Sequence, residues 1–175
     1  ASAKGTRREA DAEAGPVANA MRADLPKLRA RIQKAVEVLR QQPATLVDRA
    51  RIGAFGYCFG GSTVLELVRA GDALAGVVSL HGGLATDLPA AGPVKSPVLV
   101  LNGGDDTYVS AAEISAFQDE MRKAGADWQS VNFSGAVHCY AEADARNPPG
   151  CVYHERSARR AYRMMADFFA EVFAK

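Results

Sequence analysis

This chain of 175 residues lacks the features that define several large classes of protein. Lys and Arg number 21 against 20 Asp and Glu, so a net charge of +1 gives no field that would recruit nucleic acid or anionic lipid. No apolar run approaches the roughly 20 residues that cross a bilayer. Three cysteines, an odd number, exclude a fold framed by disulfides alone. The 16 glycines and 8 prolines are too few for a fibrous or disordered chain.

What is present is the composition of one globular domain spanning residues 1–175, with 48% hydrophobic and 23% charged residues. Short continuous apolar runs are typical of parallel strands that are covered on both faces. Strands interleaved with helices indicate an α/β layered sheet. The pattern predicts strands at 52–57, 75–80, 98–101 and 128–133, and helices at 62–70, 111–124 and 155–173.

The first 50 residues read mostly as helix, from residue 10 to 42, with an interruption at Gly15-Pro16. Asp24 is the expected N-cap of the second helical stretch, with Pro26 in its first turn. One face of that stretch carries apolar residues at three- and four-residue steps and is expected to pack on the core. The pattern predicts no strand before residue 52.

The most specific local motif is Gly56-Tyr57-Cys58-Phe59-Gly60-Gly61, between a predicted strand and a predicted helix. It has the spacing of a nucleophile elbow, with cysteine in place of the commoner serine. A β-carbon two residues to either side of Cys58 is expected to collide with neighbouring backbone. The helix N-terminus would lower the thiol pKa, and the Phe59 N–H would face an oxyanion. The alternative is a buried cysteine beside a glycine-rich turn.

Two further polar groups follow later strands. Asp105 and Asp106 come after 98–101, and His138 comes after 128–133. Each alone has an ordinary explanation as a turn aspartate or a surface histidine. Together with Cys58 they give the order nucleophile, acid, histidine, which is the chain order of α/β-hydrolases.

The chain resembles the dienelactone hydrolase family, the carboxymethylenebutenolidase branch of the α/β-hydrolases. The resemblance lies in residues 51–61 (RIGAFGYCFGG), 97–109 (PVLVLNGGDDTYV), 135–138 (GAVH) and 153–173. It implies a three-layer sandwich with a mainly parallel sheet, a small ester or lactone as substrate, and no cofactor or metal. The family's catalytic triad carries over to Cys58, Asp106 and His138, with a thioester intermediate on the cysteine. Asp106 is preferred to Asp105 because it stands three residues after a glycine and three before a valine.

The chain also departs from that family. Members supply several strands and an oxyanion loop before the elbow, so we expect this chain to be an N-terminally truncated domain with half an oxyanion hole. An exposed sheet edge and weak or no activity from residues 1–175 alone are then expected. Two arginines hold an anionic substrate in the best-known members. In this chain Glu142 occupies the position of one of these arginines, and the position of the other falls near Lys4.

Cys139 and Cys151 bracket an 11-residue loop (Tyr140–Gly150) that a disulfide can close. A bridge is expected only in an oxidising compartment, and in the cytoplasm the two cysteines would be free thiols. The cytoplasm is the favoured location, and a periplasmic or secreted location stays open if the bridge forms. A zinc site made of His138, Cys139, Cys151 and His154 is a weak alternative, because it would consume the candidate base. Tyr57 and His81 are candidates for lining the substrate pocket, and the alternative for His81 is a role in the turn before Gly82-Gly83.

Two other functions remain as rivals. A non-catalytic or weakly active binding protein could retain the hydrolase fold, and an amidotransferase also places cysteine on an elbow. The latter pairs its late histidine with glutamate, whereas Cys139 and Tyr140 follow His138 here. The sequence leaves the exact substrate and the oligomeric state open.

Overall fold

The computed structural model describes residues 7–174, with side chains from residue 13 onward. Two helices precede a run of alternating strands and helices. In chain order the elements are α1 (Arg7–Arg22), α2 (Leu25–Arg40), β1 (Gly53–Tyr57), α3 (Phe59–Arg69), β2 (Gly76–Leu80), β3 (Val98–Gly103), α4 (Ala111–Lys123), β4 (Trp128–Phe133), β5 (Arg146–Asn147), β6 (Cys151–Val152) and α5 (Glu155–Val172).

Four strands form one parallel sheet in the order β1-β2-β3-β4. Every residue of β2 and β3 is buried, as their unbroken apolar sequences predict. The predicted α/β fold with a parallel sheet is therefore confirmed. Because all four strands run the same way, the loops that follow them emerge at one edge of the sheet. The short β5 and β6 pair separately and were not predicted.

The sheet is covered on both faces. Side chains alternate along the strands, so that Val77 and Val100 pack with α3 and α4, whereas Val78 and Leu99 pack with α5. Phe117 and Met121 of α4 fill the first layer, and Ala161 and Phe168 of α5 contact the second. The result is the helix–sheet–helix layering that the sequence predicts.

The predicted helix interruption at Gly15-Pro16 is wrong. The helix α1 continues through both residues, and the break lies between Arg22 and Leu25, at the N-cap that the sequence predicts. The helix α3 also begins at Phe59, before its predicted start. Asp24 explains the position of the break before α2, because its side chain accepts a hydrogen bond from the Lys27 backbone N–H at 3.1 Å and starts α2. Pro16 lies in the interior of α1, where it supplies no backbone N–H to the helix. None of the helices among residues 7–174 is long and apolar enough to cross a membrane.

The strand β1 lies at the edge of the sheet, with β2 as its neighbour among the described residues. Its central Phe55 is 52% exposed and contacts the ring of Phe169 from α5. This arrangement agrees with the exposed sheet edge expected from the sequence.

A buried ion network fixes the loop after β2 to the helices. Arg69 of α3, only 4% exposed, donates to Glu66 and to Glu120 at 2.8 Å each and to the Leu84 carbonyl at 2.7 Å. Arg29 of α2 contacts the other oxygen of Glu66 at 2.7 Å. Because Glu66 is also buried, loss of its partners would leave a carboxylate without compensation.

We expect Arg69→Met to lower the free energy of unfolding by about 3–5 kcal/mol, the cost of removing one partner from a buried ion network. Arg29 still contacts Glu66, but Glu66 loses its second cation, and Glu120 and the Leu84 carbonyl lose their arginine donor. Urea denaturation followed by circular dichroism measures the change. Lys34→Met is the matched control, since Lys34 pairs with Glu37 at the exposed surface of α2. Equal midpoints for the two variants would show that the buried network does not stabilise the fold.

Candidate active site

Cys58 lies on the sharp turn between β1 and α3. It is the N-cap residue of α3 and adopts φ 49°, a conformation that costs energy for any residue except glycine. Its backbone N–H donates to the Leu80 carbonyl at 3.0 Å, which ties the turn to β2. The thiol is half-buried and is the free cysteine of the described chain. The sharp turn therefore presents this sulfur at the edge of the sheet where the strands end.

Glycine is sterically required at one of the two predicted positions around Cys58, and also at a third position that was not predicted. A β-carbon at Gly56 would overlap the backbone of Gly60, as expected. A β-carbon at Gly60 itself would meet open space, so the expectation of a collision there is wrong. The second constrained position is Gly61, where a β-carbon would approach the Ser79 hydroxyl to 2.7 Å. The reason is that Gly61 faces the sheet on the first turn of α3, whereas Gly60 faces away from it.

Three side chains from different loops form one hydrogen-bonded line. His138, after β4, has its Nε2 3.1 Å from the Cys58 Sγ and its Nδ1 2.8 Å from the Asp106 Oδ2. Asp106, after β3, also accepts a hydrogen bond from the Tyr108 backbone N–H at 2.8 Å. Because Nδ1–H donates to a carboxylate, Nε2 is available to exchange a proton with the sulfur.

The two neighbouring aspartates differ in their surroundings. The Asp106 residue is 7% exposed and its side chain is directed at His138. Asp105 is exposed, and its backbone N–H donates to the Ala136 carbonyl at 2.9 Å. The structure thus brings Asp106, and not Asp105, into contact with the imidazole.

The electrostatics of the line favour an ion pair between sulfur and imidazole. The hydrogen bond with His138 is the largest influence on Cys58 and lowers its pKa; burial opposes this, and the charges of His138 and Arg22 and the Phe59 N–H add to it. For His138, in contrast, the largest influence is burial, which by itself would lower the pKa of the imidazole. Hydrogen bonds to Asp106 and Cys58 outweigh burial and raise the pKa of His138 to about 9. These contacts therefore shift Cys58 toward its thiolate form and His138 toward its imidazolium form.

A cavity of about 530 Å³ opens beside the sulfur. Its walls come from α1, the elbow, the loops after β2 and β3, and the segment around His138. The lining residues are Asn19, Arg22, Cys58, Ser62, Gly83, Tyr108, Val109, His138, Cys139 and Cys151. A volume of this size suits a small organic molecule. A larger cavity, about 770 Å³, lies between residues 89–93 and α4, away from Cys58 and His138.

Cys139 and Cys151 form a disulfide with a Cα–Cα distance of 4.9 Å. The bridge directly follows His138, and the Val152 N–H donates to the His138 carbonyl at 3.1 Å. Both half-cystines line the cavity, so the bridge shapes the pocket wall and anchors the backbone of the histidine. It also removes two of the four ligands on which the zinc alternative depended.

The sequence predicts Tyr57 and His81 as candidates for the pocket lining, but neither residue lines this cavity. His81 is fully buried behind the His138 ring, and the Tyr57 hydroxyl donates to Tyr162 at 3.2 Å on the other side of the elbow. The reason is that both side chains turn into the layer between the sheet and α5. Glu142 lies 3.7 Å from the His81 Nε2, and Lys4 lies outside the described residues.

Arg22 and Tyr108 are among the lining residues that the sequence did not predict. Arg22, at the end of α1, stands over the Phe59 ring at 4.9 Å from its centroid and donates to Asn19 at 3.0 Å. Tyr108 lies edge-on to His138, with ring centroids 4.9 Å apart. Tyr108 belongs to the quoted 97–109 stretch and could have been found from its proximity to Asp106. No local motif marks Arg22, since its place depends on how α1 packs.

Comparison with known proteins identifies relatives along almost the whole chain. A model of the dienelactone hydrolase family matches residues 3–173. The solved structure named m3DLH is 36% identical, with a TM-score of 0.82, over 90% of this chain and 66% of that chain. A dienelactone hydrolase-like promiscuous phosphotriesterase from metagenomic libraries is 35% identical, with a TM-score of 0.80, over 88% of this chain and 65% of its own.

The relatives differ in length. An uncharacterized protein of Caenorhabditis elegans is 29% identical over 153 residues, which cover 85% of this chain and 96% of that protein. A Salmonella typhimurium protein provisionally named a carboxymethylenebutenolidase is 29% identical over 137 residues, 73% of this chain and 49% of its own. The chain thus spans about half the length of that bacterial relative and two thirds of the two solved structures.

Proposed function

This chain belongs to the dienelactone hydrolase family, and from the site described above we propose that it hydrolyses a small carboxylic ester or lactone through a thioester on Cys58. The observation that carries the proposal is the hydrogen-bonded line from Asp106 through His138 to the Cys58 sulfur. Nucleophile, base and orienting carboxylate within hydrogen-bond reach are the signature of covalent acyl transfer. The relatives' names point to the same class of substrate.

In the first step the Cys58 sulfur attacks the carbonyl carbon, and His138 holds the thiol proton on Nε2. The carbon–sulfur bond forms, the carbonyl oxygen becomes an oxyanion, and its collapse breaks the bond to the leaving oxygen. His138 then gives its proton to that oxygen, which departs as an alcohol or, for a lactone, stays attached as the hydroxyl of the same molecule. Asp106 stabilises the imidazolium that carries the proton.

In the second step water replaces the alcohol. His138 takes a proton from the water, whose oxygen attacks the thioester carbon. The carbon–sulfur bond breaks, the carboxylic acid is released, and the Cys58 thiolate again faces the His138 imidazolium, which holds the proton taken from water. No redox partner is consumed, because both steps are acyl transfers.

The oxyanion would face the N-terminus of α3. The Phe59 backbone N–H already points toward the Cys58 sulfur, where it stabilises negative charge and contributes to the lowered pKa of the thiol. A donor in this position also serves a tetrahedral intermediate built on that sulfur. Arg22 adds positive charge on the same side of the cavity.

The proposal predicts an acetyl group on Cys58 after brief exposure of the full chain to 4-nitrophenyl acetate. A burst of 4-nitrophenolate equal to the enzyme concentration is expected, because thioester formation releases the alcohol before water completes the cycle. Acid quenching, intact mass and peptide mapping locate the label. Protein alkylated beforehand with iodoacetamide is the control and should give no burst. An acetyl group on another residue, or 4-nitrophenolate release that continues after Cys58 has been alkylated, would contradict the mechanism. An ester that binds and stays intact would favour the binding protein.

A further inference from the structure

Backbone strain in the described chain is concentrated around one site. Three residues other than glycine have a clearly positive φ: Cys58 at 49°, His81 at 39° and Cys139 at 59°. Such conformations persist where surrounding structure enforces them, and they cluster at functional sites. Cys58 is the proposed nucleophile, and Cys139 follows the proposed base. His81 shares the strain and has no role in the mechanism above.

His81 occupies the end of β2, one step behind the catalytic line. Its backbone N–H donates to the Leu101 carbonyl at 2.9 Å, which fixes its place at the edge of the sheet. Its side chain is fully buried. The ring centroid lies 5.1 Å from that of His138, with the planes at 67°, so the two imidazoles meet edge to face. Tyr108 contacts the His138 ring as well, at 4.9 Å and 60°. The His138 imidazole therefore contacts two other rings, those of His81 and Tyr108.

The groups that face His81 leave its ring little freedom. Tyr57 and Tyr140 contact it at centroid distances of 5.8 and 5.4 Å. Burial raises the pKa of both phenols, so they are uncharged near neutral pH. Glu142 is the carboxylate on this side, with Oε1 3.7 Å from the His81 Nε2. The Nε2 edge of the His81 ring therefore faces the Glu142 carboxylate. Tyr57, His138, Tyr140 and Glu142 are thus titratable side chains that face the ring from the elements packed against it.

We propose that His81 is a positioning residue for His138, holding its ring in line with Cys58 and Asp106 and favouring its imidazolium form. This role rests on the proposed function. An edge-to-face contact places the positive edge of one ring on the electron-rich face of the other, and the attraction grows when the ring that presents its edge becomes a cation. The ring of His81 supplies this support during the steps in which His138 carries a proton. Glu142 assists by orienting His81.

The test compares His81→Leu with His81→Phe in the full chain. Both variants place a large apolar side chain at this buried position, but only phenylalanine retains an aromatic ring against His138. We expect His81→Leu to lower the acylation rate with 4-nitrophenyl acetate about fivefold to tenfold at unchanged KM, the factor that one aromatic contact is worth. His81→Phe should stay within about twofold of the parent on the same grounds.

A second readout separates this role from a merely structural one. With its imidazolium less favoured, His138 should have a lower pKa and Cys58 a higher one. The pH midpoint for alkylation of Cys58 by iodoacetamide should therefore move upward in His81→Leu and not in His81→Phe. Glu142→Gln should move it in the same direction by less, and it serves in place of His81→Leu if that variant does not fold.

Equal acylation rates and equal alkylation midpoints for the leucine and phenylalanine variants would overturn the proposal. So would an unchanged midpoint in Glu142→Gln where His81→Leu cannot be obtained. Failure of the proposed function has a different signature, because the parent chain itself would then form no acetyl thioester on Cys58.

Discussion

Replacing Cys58 with alanine is expected to abolish ester cleavage and to leave the fold unchanged. In the proposed mechanism every turnover passes through a bond to this sulfur, so no other group on the chain can carry the acyl fragment. We expect the rate with 4-nitrophenyl acetate to fall by about 10³-fold or more, toward the uncatalysed rate.

The structure also explains why the variant should fold. Cys58 makes no side-chain cap hydrogen bond to α3, and its backbone N–H bond to Leu80 does not involve the sulfur. Alanine tolerates the φ of 49° about as poorly as cysteine does, so the strain of the turn is nearly the same in both chains. Equal circular dichroism spectra and equal urea midpoints would establish this.

Ser62→Ala provides the matched control. Ser62 lies on the first turn of α3, and both Ser62 and Cys58 line the cavity. Its hydroxyl donates to the Cys58 carbonyl at 3.4 Å and makes no contact with His138. We expect its loss to change the acylation rate by less than about threefold, the effect of one weak hydrogen bond. Activity that survives Cys58→Ala and disappears in Ser62→Ala would assign the chemistry to the serine.

The elements that build the site could be predicted from the sequence because their signals are local. Unbroken apolar runs identified β2 and β3, and the strand–glycine–cysteine–glycine–helix pattern identified the turn at Cys58. Asp106 was separated from Asp105 through its spacing from Gly103 and Val109, which reflects the family's pattern. The structure supplies the physical difference, since one carboxylate is buried against His138 and the other is exposed.

The parts that could not be predicted depend on long-range packing. Arg22 enters the cavity because α1 packs across the elbow, and nothing near it in sequence indicates that contact. His81 was expected in the pocket because it follows a strand, yet the twist of its backbone turns the ring behind His138. Gly61 bears the steric constraint assigned to Gly60, because helical phase decides which of two adjacent glycines faces the sheet.

The second large effect is expected at Asp106. Asp106→Asn removes the negative charge that stabilises the His138 imidazolium, and its amide can present an N–H to Nδ1 and so favour the wrong tautomer. We expect the acylation rate to fall by about 10⁴-fold, the loss seen when a triad carboxylate becomes an amide. Asp105→Asn should stay within about twofold, because that side chain is exposed and its contact with the loop is through the backbone.

The pH dependence of Cys58 alkylation tests the choice between Asp106 and Asp105 independently of the acylation rate. In the parent chain the hydrogen bond to Asp106 helps to raise the pKa of His138 to about 9, and the imidazolium in turn lowers the pKa of Cys58. Without the carboxylate the pKa of His138 should fall and that of Cys58 should rise, so less thiolate is present at neutral pH. Alkylation of Cys58 by iodoacetamide should then require a higher pH in Asp106→Asn and keep its parent profile in Asp105→Asn. If the loss of rate and the displaced profile both follow Asp105, the orienting carboxylate is Asp105, and the 2.8 Å contact between Asp106 and His138 serves the fold alone.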